Sequence, residues 1–199
     1  MSPSPTPRAG LDRPTVTLAA ARLVNAEGTE ALTINRLARQ LGVQPPSLYN
    51  HIEGLAGLWS ELALLSVTTL GERLMKASMG KSGPAGIRAL AKAYRAYIQE
   101  FPGLYQSSLR AARNLASPDP RLRAAEDQVL QVALAMVASF GLADEEAVHA
   151  VRALRSVVHG FATLEVAGGF GLPLSLDESF DRLVEMFIRG LENPDYKIG

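Results

Sequence analysis

The chain has 199 residues, 47% hydrophobic and 20% charged, with no cysteine and a formal net charge of zero. This composition indicates a globular core rather than a disordered chain. The lack of Cys excludes disulfide scaffolds, thiol nucleophiles and Cys-ligated zinc. Balanced charge gives no global field to attract nucleic acid, and residues 1–60 add only five Arg against four acidic side chains. On charge alone there is no argument for DNA binding.

Ala and Leu supply 29 residues each, and both favour helices, so an all-α fold is expected. Residues 1–12 begin with a Pro- and Ser-rich stretch and read as a disordered arm rather than a signal peptide. From Pro14, Val16, Ala19, Ala20, Leu23 and Val24 share one helical face, and Gly28 ends that helix. Thr33 is a good N-cap for a second helix with Ile34, Leu37, Ala38 and Leu41 on one face, and Gly42 stops it. Gln44 to His51 forms a short helix, since Pro45 and Pro46 fit only a first helical turn. A longer apolar helix covers Leu55 to Met79.

Gly and Pro cluster in residues 80–84, marking a break. Beyond it the pattern predicts helices over Pro84–Glu100, over Gly103 to about Leu115, and from the Ser117-Pro118-Asp119-Pro120 start to Phe140. Two more cover Asp144–Val166 and Asp177–Leu191. The longest uncharged stretch, Gln128 to Ala143, is shorter than the ~20 residues a membrane span needs. No membrane partner and a cytoplasmic location are therefore expected. The expected domains are 13–60 and 61–192, with a tail at 193–199.

Thr33 to His51 is the informative segment. Two short helices that cross closely need a small residue in the first, a residue at ease with positive φ at the turn, and apolar clamps. Ala38, Gly42, Val43 and Leu48 stand at those places, with helix-turn-helix spacing. The run from Leu32 through Leu41-Gly42-Val43 to Leu48-Tyr49-Asn50-His51-Ile52 resembles the DNA-binding domain of the TetR family of bacterial repressors. The resemblance is close over residues 14–65, and the helical layout extends it over nearly the whole chain. Ser156-Val157-Val158-His159-Gly160-Phe161 to Glu165 is similar to the family's WHG-type C-terminal domain, although the Trp of that motif is absent.

The resemblance implies a double-stranded DNA operator read in the major groove. Thr33 caps the second helix and places its N-terminus near a phosphate. Gln44, Pro45, Pro46 and Ser47 start the recognition helix, whose N-terminal residues approach base edges; the prolines offer apolar contact, for example to thymine methyls. Asn35, Ser47 and Asn50 are candidates for base or backbone hydrogen bonds, and Tyr49 and His51 match phosphate-gripping positions. Where many family members carry a Lys at the start of the fourth helix, this chain has Leu55. Fewer phosphate contacts and a shallow salt slope follow, at roughly 0.9 per neutralised phosphate, unless Arg8 and Arg13 reach the DNA from the arm.

Such proteins bind pseudo-palindromes as two-fold dimers. By resemblance the last two helices form a four-helix bundle with their symmetry mates. Candidate contacts are Val151, Leu154, Val158, Phe161, Phe180, Leu183, Val184, Phe187 and Leu191, a set that must also supply the chain's own core. Tyr94, Tyr97, Phe101, Tyr105, Met136, Phe140 and His159 mix apolar walls with polar tips, as a small-molecule effector site does. The helix from Leu55 to Met79 is the expected lever between effector and DNA.

No catalytic, metal or cofactor site is expected. His149 and His159 lie ten residues apart, without the i, i+3 or i+4 spacing of helical metal ligands. A separation of six residues puts His159 and Glu165 on different helix faces. The expected function is a ligand-responsive regulator, most readily a repressor. The alternative is a helical small-molecule-binding or adaptor protein whose helix-turn-helix no longer reads DNA.

Overall fold

The computed structural model describes residues 11–112 and 119–193. Among these residues there are nine α-helices and no strand: α1 (Arg13–Glu27), α2 (Ile34–Leu41), α3 (Pro45–Leu48), α4 (Gly54–Ser78), α5 (Gly83–Glu100), α6 (Pro102–Ala112), α7 (Pro120–Ala138), α8 (Asp144–Val166) and α9 (Leu176–Glu192). The chain is therefore all-α, as its composition predicts.

Helix ends follow from local chemistry. The Asp12 carboxylate accepts the Thr15 amide at 2.8 Å and caps α1. Its pKa is lowered by that hydrogen bond. Asp119 likewise caps α7, accepting the Arg121 amide. The recognition helix is shorter than the sequence suggests. Regular helix stops at Leu48, and Tyr49 to His51 form a turn in which the His51 amide donates to the Leu48 carbonyl at 2.9 Å. The predicted helix end near Leu115 lies outside the described residues, as do Arg8 and the tail from residue 194.

Buried side chains form two main clusters. The first joins α1, α2, α3 and the start of α4 through Val16, Ala20, Leu23, Leu37, Leu48, Leu58 and Leu62. The second joins the end of α4 to α5, α7, α8 and α9 through residues such as Leu74, Ile87, Ile98, Leu154, Val158 and Phe180. Each fully buried Leu, Ile or Phe contributes about 1.5–3 kcal/mol. Helix α4 is apolar over a length that would cross a membrane. Packing against α5, α6 and α7 accounts for that composition.

Helix α6 belongs to both clusters. Leu104 is buried in the first and Tyr105 in the second, and Phe101 packs against both. The Leu104 amide, one of the unpaired donors of a helix N-terminus, donates to Asn25 Oδ1 at 2.8 Å. Arg110 reaches Glu30 at 3.0 Å and lies 4.9 Å from the Trp59 ring centre. A helix from the second half of the chain is thus fastened to the first.

Candidate functional site

The helix-turn-helix is built as its spacing requires. Thr33 adopts extended backbone and its hydroxyl accepts the Arg36 amide at 3.2 Å. Gly42 sits in the left-handed region at φ 68°, and its N–H donates back to the Ala38 and Arg39 carbonyls. Only glycine adopts this conformation without strain. The chain then extends through Gln44 into Pro45 and Pro46, whose missing N–H groups fall where a helix has no acceptor for them. Leu48 is fully buried and pins α3 against α1 and α2. Thr33→Ala is expected to lower stability by about 1 kcal/mol through loss of the cap, read as a shift in the denaturant midpoint at unchanged slope.

With Leu37, Ala38 and Leu48 inward, the polar positions of the motif face wholly or partly outward. Gln44, Pro46, Tyr49 and Asn50 are exposed, as are Thr33 and Asn35 on α2, while Pro45, Ser47 and His51 are half-buried. All nine predicted DNA-contacting residues therefore lie around one helix-turn-helix. A shallow depression beside them is lined by Leu23, Glu27, Thr33, Asn35, Arg36, Arg39 and Gln40. Arg36 is paired with Glu27, whereas Arg39 has no ion pair among the described residues. Arg13 is not a free arm residue. It opens α1, donates to the His51 carbonyl at 3.2 Å and pairs with Glu61 at 3.3 Å. It fixes the end of the recognition segment to α1 and α4.

A cavity of about 450 Å³ opens between α4, α5, α6, α7 and α8. Of the suspected effector residues, Tyr94 and Tyr105 line it. The Tyr94 and Tyr105 hydroxyls are 2.9 Å apart, and the Tyr105 hydroxyl is 2.7 Å from His159 Nδ1. His159 therefore stands one hydrogen bond behind the wall. Burial and the nearby Arg155 charge push its pKa below the usual value, and burial pushes that of Tyr105 well above.

Tyr97 is instead a core group joining α5 to α4. Its hydroxyl donates to the Ser66 carbonyl at 3.0 Å, and burial raises its pKa to about 12. Phe101 leans on Tyr97 with ring centres 5.5 Å apart. Met136 is buried in the second cluster and Phe140 packs against it, neither lining the cavity. The sequence reading missed Leu70, Leu74, Leu90 and Val129, and the rim residues Glu126, Asp127, Arg152 and Arg155. Their helical spacing matches ordinary core and surface positions, so no sequence signal sets them apart.

The structure also divides the expected dimer set. Leu154, Val158, Phe180, Val184 and Leu191 are buried in the chain's own core. Val151 lines the cavity. Phe161, Leu183 and Phe187 remain half-buried on α8 and α9. On the same two helices and their connection Leu164, Val166, Phe170, Leu172, Leu174 and Met186 are exposed, apolar surface that a lone chain leaves in water. Glu165 pairs with Arg95 rather than with His159.

Known proteins share this fold. Residues 8–53 match the family model described as bacterial regulatory proteins, tetR family, and residues 87–187 match the Tetracyclin repressor-like C-terminal domain. The uncharacterized HTH-type transcriptional regulator YobS of Bacillus subtilis (strain 168) is 33% identical over 186 residues, 93% of this chain and 95% of that protein. A protein of unknown function from Rhodococcus sp. RHA1 superposes with a TM-score of 0.80 at 21% identity, covering 95% of this chain and all of that one. TetR-Q116A from Acinetobacter baumannii AYE, solved in complex with minocycline, gives 0.68 at 24% identity, covering 92% and 97%. With a helix-turn-helix joined to a larger helical half, and both halves matched by regulator models rather than enzymes, the chain belongs to the TetR family of transcriptional regulators.

Proposed function

We propose that the chain is a repressor that binds a pseudo-palindromic operator as a homodimer and is released by a small molecule. Residues 13–60 serve as the DNA-binding domain and 61–192 as the effector and dimerisation domain, in the cytoplasm. Thr33, Asn35, Gln44, Pro45, Pro46, Ser47, Tyr49, Asn50 and His51 form the DNA-contacting set. The observation that carries the reading is the position of α6. Its Tyr105, Ser108 and Leu109 line the cavity, while Gly103 and Leu104 lie against α1 and the first core. A ligand that moves α6 has a direct route to the helix-turn-helix, beside the expected lever α4.

A second chain supplies the cover for the apolar surface of α8, α9 and their connection. That pairing sets the distance between recognition helices, and an operator favours the dimer whose helices lie about 34–36 Å apart. A ligand that prefers another spacing lowers operator affinity by its differential affinity for the two states and no more. The minocycline complex of the Acinetobacter baumannii protein concerns that protein; in this chain the small molecule occupies the cavity between α4 and α8.

The test is fluorescence anisotropy of the full chain with DNA from upstream of its own gene, at two salt concentrations, against scrambled DNA. Binding that beats the control, by a species that sediments as a dimer, supports the reading. The Leu55 substitution and the neutral charge favour a chain that no longer reads DNA. That alternative prevails if neither salt gives a preference and a genome-wide selection of bound fragments returns no site.

A further inference from the structure

We propose that the cavity takes an uncharged, largely apolar molecule whose leading end carries one hydroxyl or carbonyl oxygen, recognised by the Tyr94 phenol. This deepens the effector reading above and rests on it. The volume of about 450 Å³ falls within the range of small-molecule sites. The walls are mostly aliphatic, with Leu70, Leu74, Leu90 and Val129 among them. Such walls reward an apolar body.

Away from the rim the polar groups of the wall are Ser108, whose hydroxyl donates to the Tyr105 carbonyl at 2.7 Å, and the Tyr94–Tyr105 pair, backed by His159. Tyr94 and Tyr105 are 6% and 3% exposed, yet both line the cavity. A phenol carries one hydrogen and two lone pairs, so the run of bonds orders itself in either of two directions. With His159 Nδ1 bare, Tyr105 donates to it, Tyr94 donates to Tyr105, and the Tyr94 lone pairs accept from a ligand hydroxyl. With the proton on Nδ1 the order reverses, and Tyr94 donates to a ligand carbonyl. The shifts at His159 and Tyr105 both favour the neutral forms, so the run offers hydrogen bonds without charge.

Charge is confined to the rim. Glu126 and Asp127 on α7 and Arg152 and Arg155 on α8 are all exposed. Two of each sign balance overall; the Arg155 charge is felt at His159 and Tyr105, but Arg155 is exposed, so solvent screens it and it is no buried counter-ion. A carboxylate or ammonium at the tyrosine end would lose its hydration without a buried counter-ion, which costs more than a hydrogen bond to a phenol returns.

The test uses four probes with one ring system: 2-naphthol, naphthalene, 2-naphthoate and 2-naphthylmethylammonium. Binding to the full chain without DNA is followed by probe fluorescence. The expected result is that 2-naphthol binds about fivefold or more tighter than each of the others, the worth of one net hydrogen bond. Tyr94→Phe is expected to abolish the advantage over naphthalene and leave naphthalene affinity unchanged. Naphthoate or the ammonium binding as tightly as naphthol overturns the proposal, as does an absence of binding by all four. The wild-type ratios decide this even if Tyr94→Phe does not fold. Operator affinity with bound naphthol is measured separately. Expected ratios without any change in operator affinity uphold the chemistry and overturn the effector reading; reversed ratios with operator release do the opposite.

Discussion

Gly103→Ala is expected to lower stability by about 3 kcal/mol, at the upper end for overpacking, and so to lower Tm by roughly 6–12 °C for a chain of this size. A Cβ on Gly103 would stand 1.9 Å from the Val24 carbonyl oxygen, 2.3 Å from its carbon and 2.8 Å from the Asn25 nitrogen. All three are backbone atoms of α1, so no rotamer change relieves the clash. Either α6 or α1 must move, and the hydrogen bond from the Leu104 amide to Asn25 lies in the same contact. Thermal unfolding checks the stability. Operator binding with and without effector checks the proposed coupling, which is expected to weaken because α6 no longer seats against α1. An unchanged Tm would show that the contact relaxes without cost and would remove the basis for routing the signal through α6.

Arg95→Met is expected to cost about 3 kcal/mol, the lower end for breaking a buried ion pair. Arg95 is 9% exposed on α5. Its guanidinium donates to both Glu165 oxygens, at 2.8 and 2.6 Å, at the end of α8. It also pairs with Asp177 at 2.8 Å at the start of α9. Its charge lies 4.8 Å from the Phe180 ring centre and 5.4 Å from that of Phe161. The two carboxylates are not equivalent. The Glu165 side chain is 12% exposed and would be left without its partner, whereas that of Asp177 is 87% exposed and solvated. Asp177→Asn is therefore expected to cost under about 1 kcal/mol. The double variant Arg95→Met/Glu165→Gln is expected to recover part of the loss, because no unpaired charge remains. Denaturant midpoints for the four proteins check the set. Equal losses for Arg95→Met and Asp177→Asn would refute the assignment of the energy to Glu165. Because Arg95 holds both ends of the α8–α9 connection, its loss also disturbs the apolar surface proposed to pair with a second chain.

Local chemistry determined much of this molecule. Thr33, Gly42 and the Pro45-Pro46 pair specify a cap, a left-handed stop and a first helical turn through backbone preferences that act within a few residues. The helix-turn-helix, the all-α class and the family were therefore legible before any packing was known. Exposure of Gln44, Pro46, Tyr49 and Asn50 follows from Leu48, the apolar clamp that turns these neighbours outward.

What only the tertiary structure decided is which apolar helix faces meet one another. Tyr94 and Tyr97 lie one turn apart on the same helix, yet one lines a cavity and the other bonds to Ser66 in solid core. Phe180 and Met186 share α9, yet one is fully buried and the other is 63% exposed. Hydrophobic attraction is non-directional and scales with area, so a helical stripe says that a face will be covered and not by what. The destination of a stripe depends on side chains far away in sequence, 31 residues for Tyr97 and Ser66, 54 for Tyr105 and His159 and 97 for Arg88 and Glu185. The cavity, the two-sided role of α6 and the division between core and exposed dimer candidates all arise at that level.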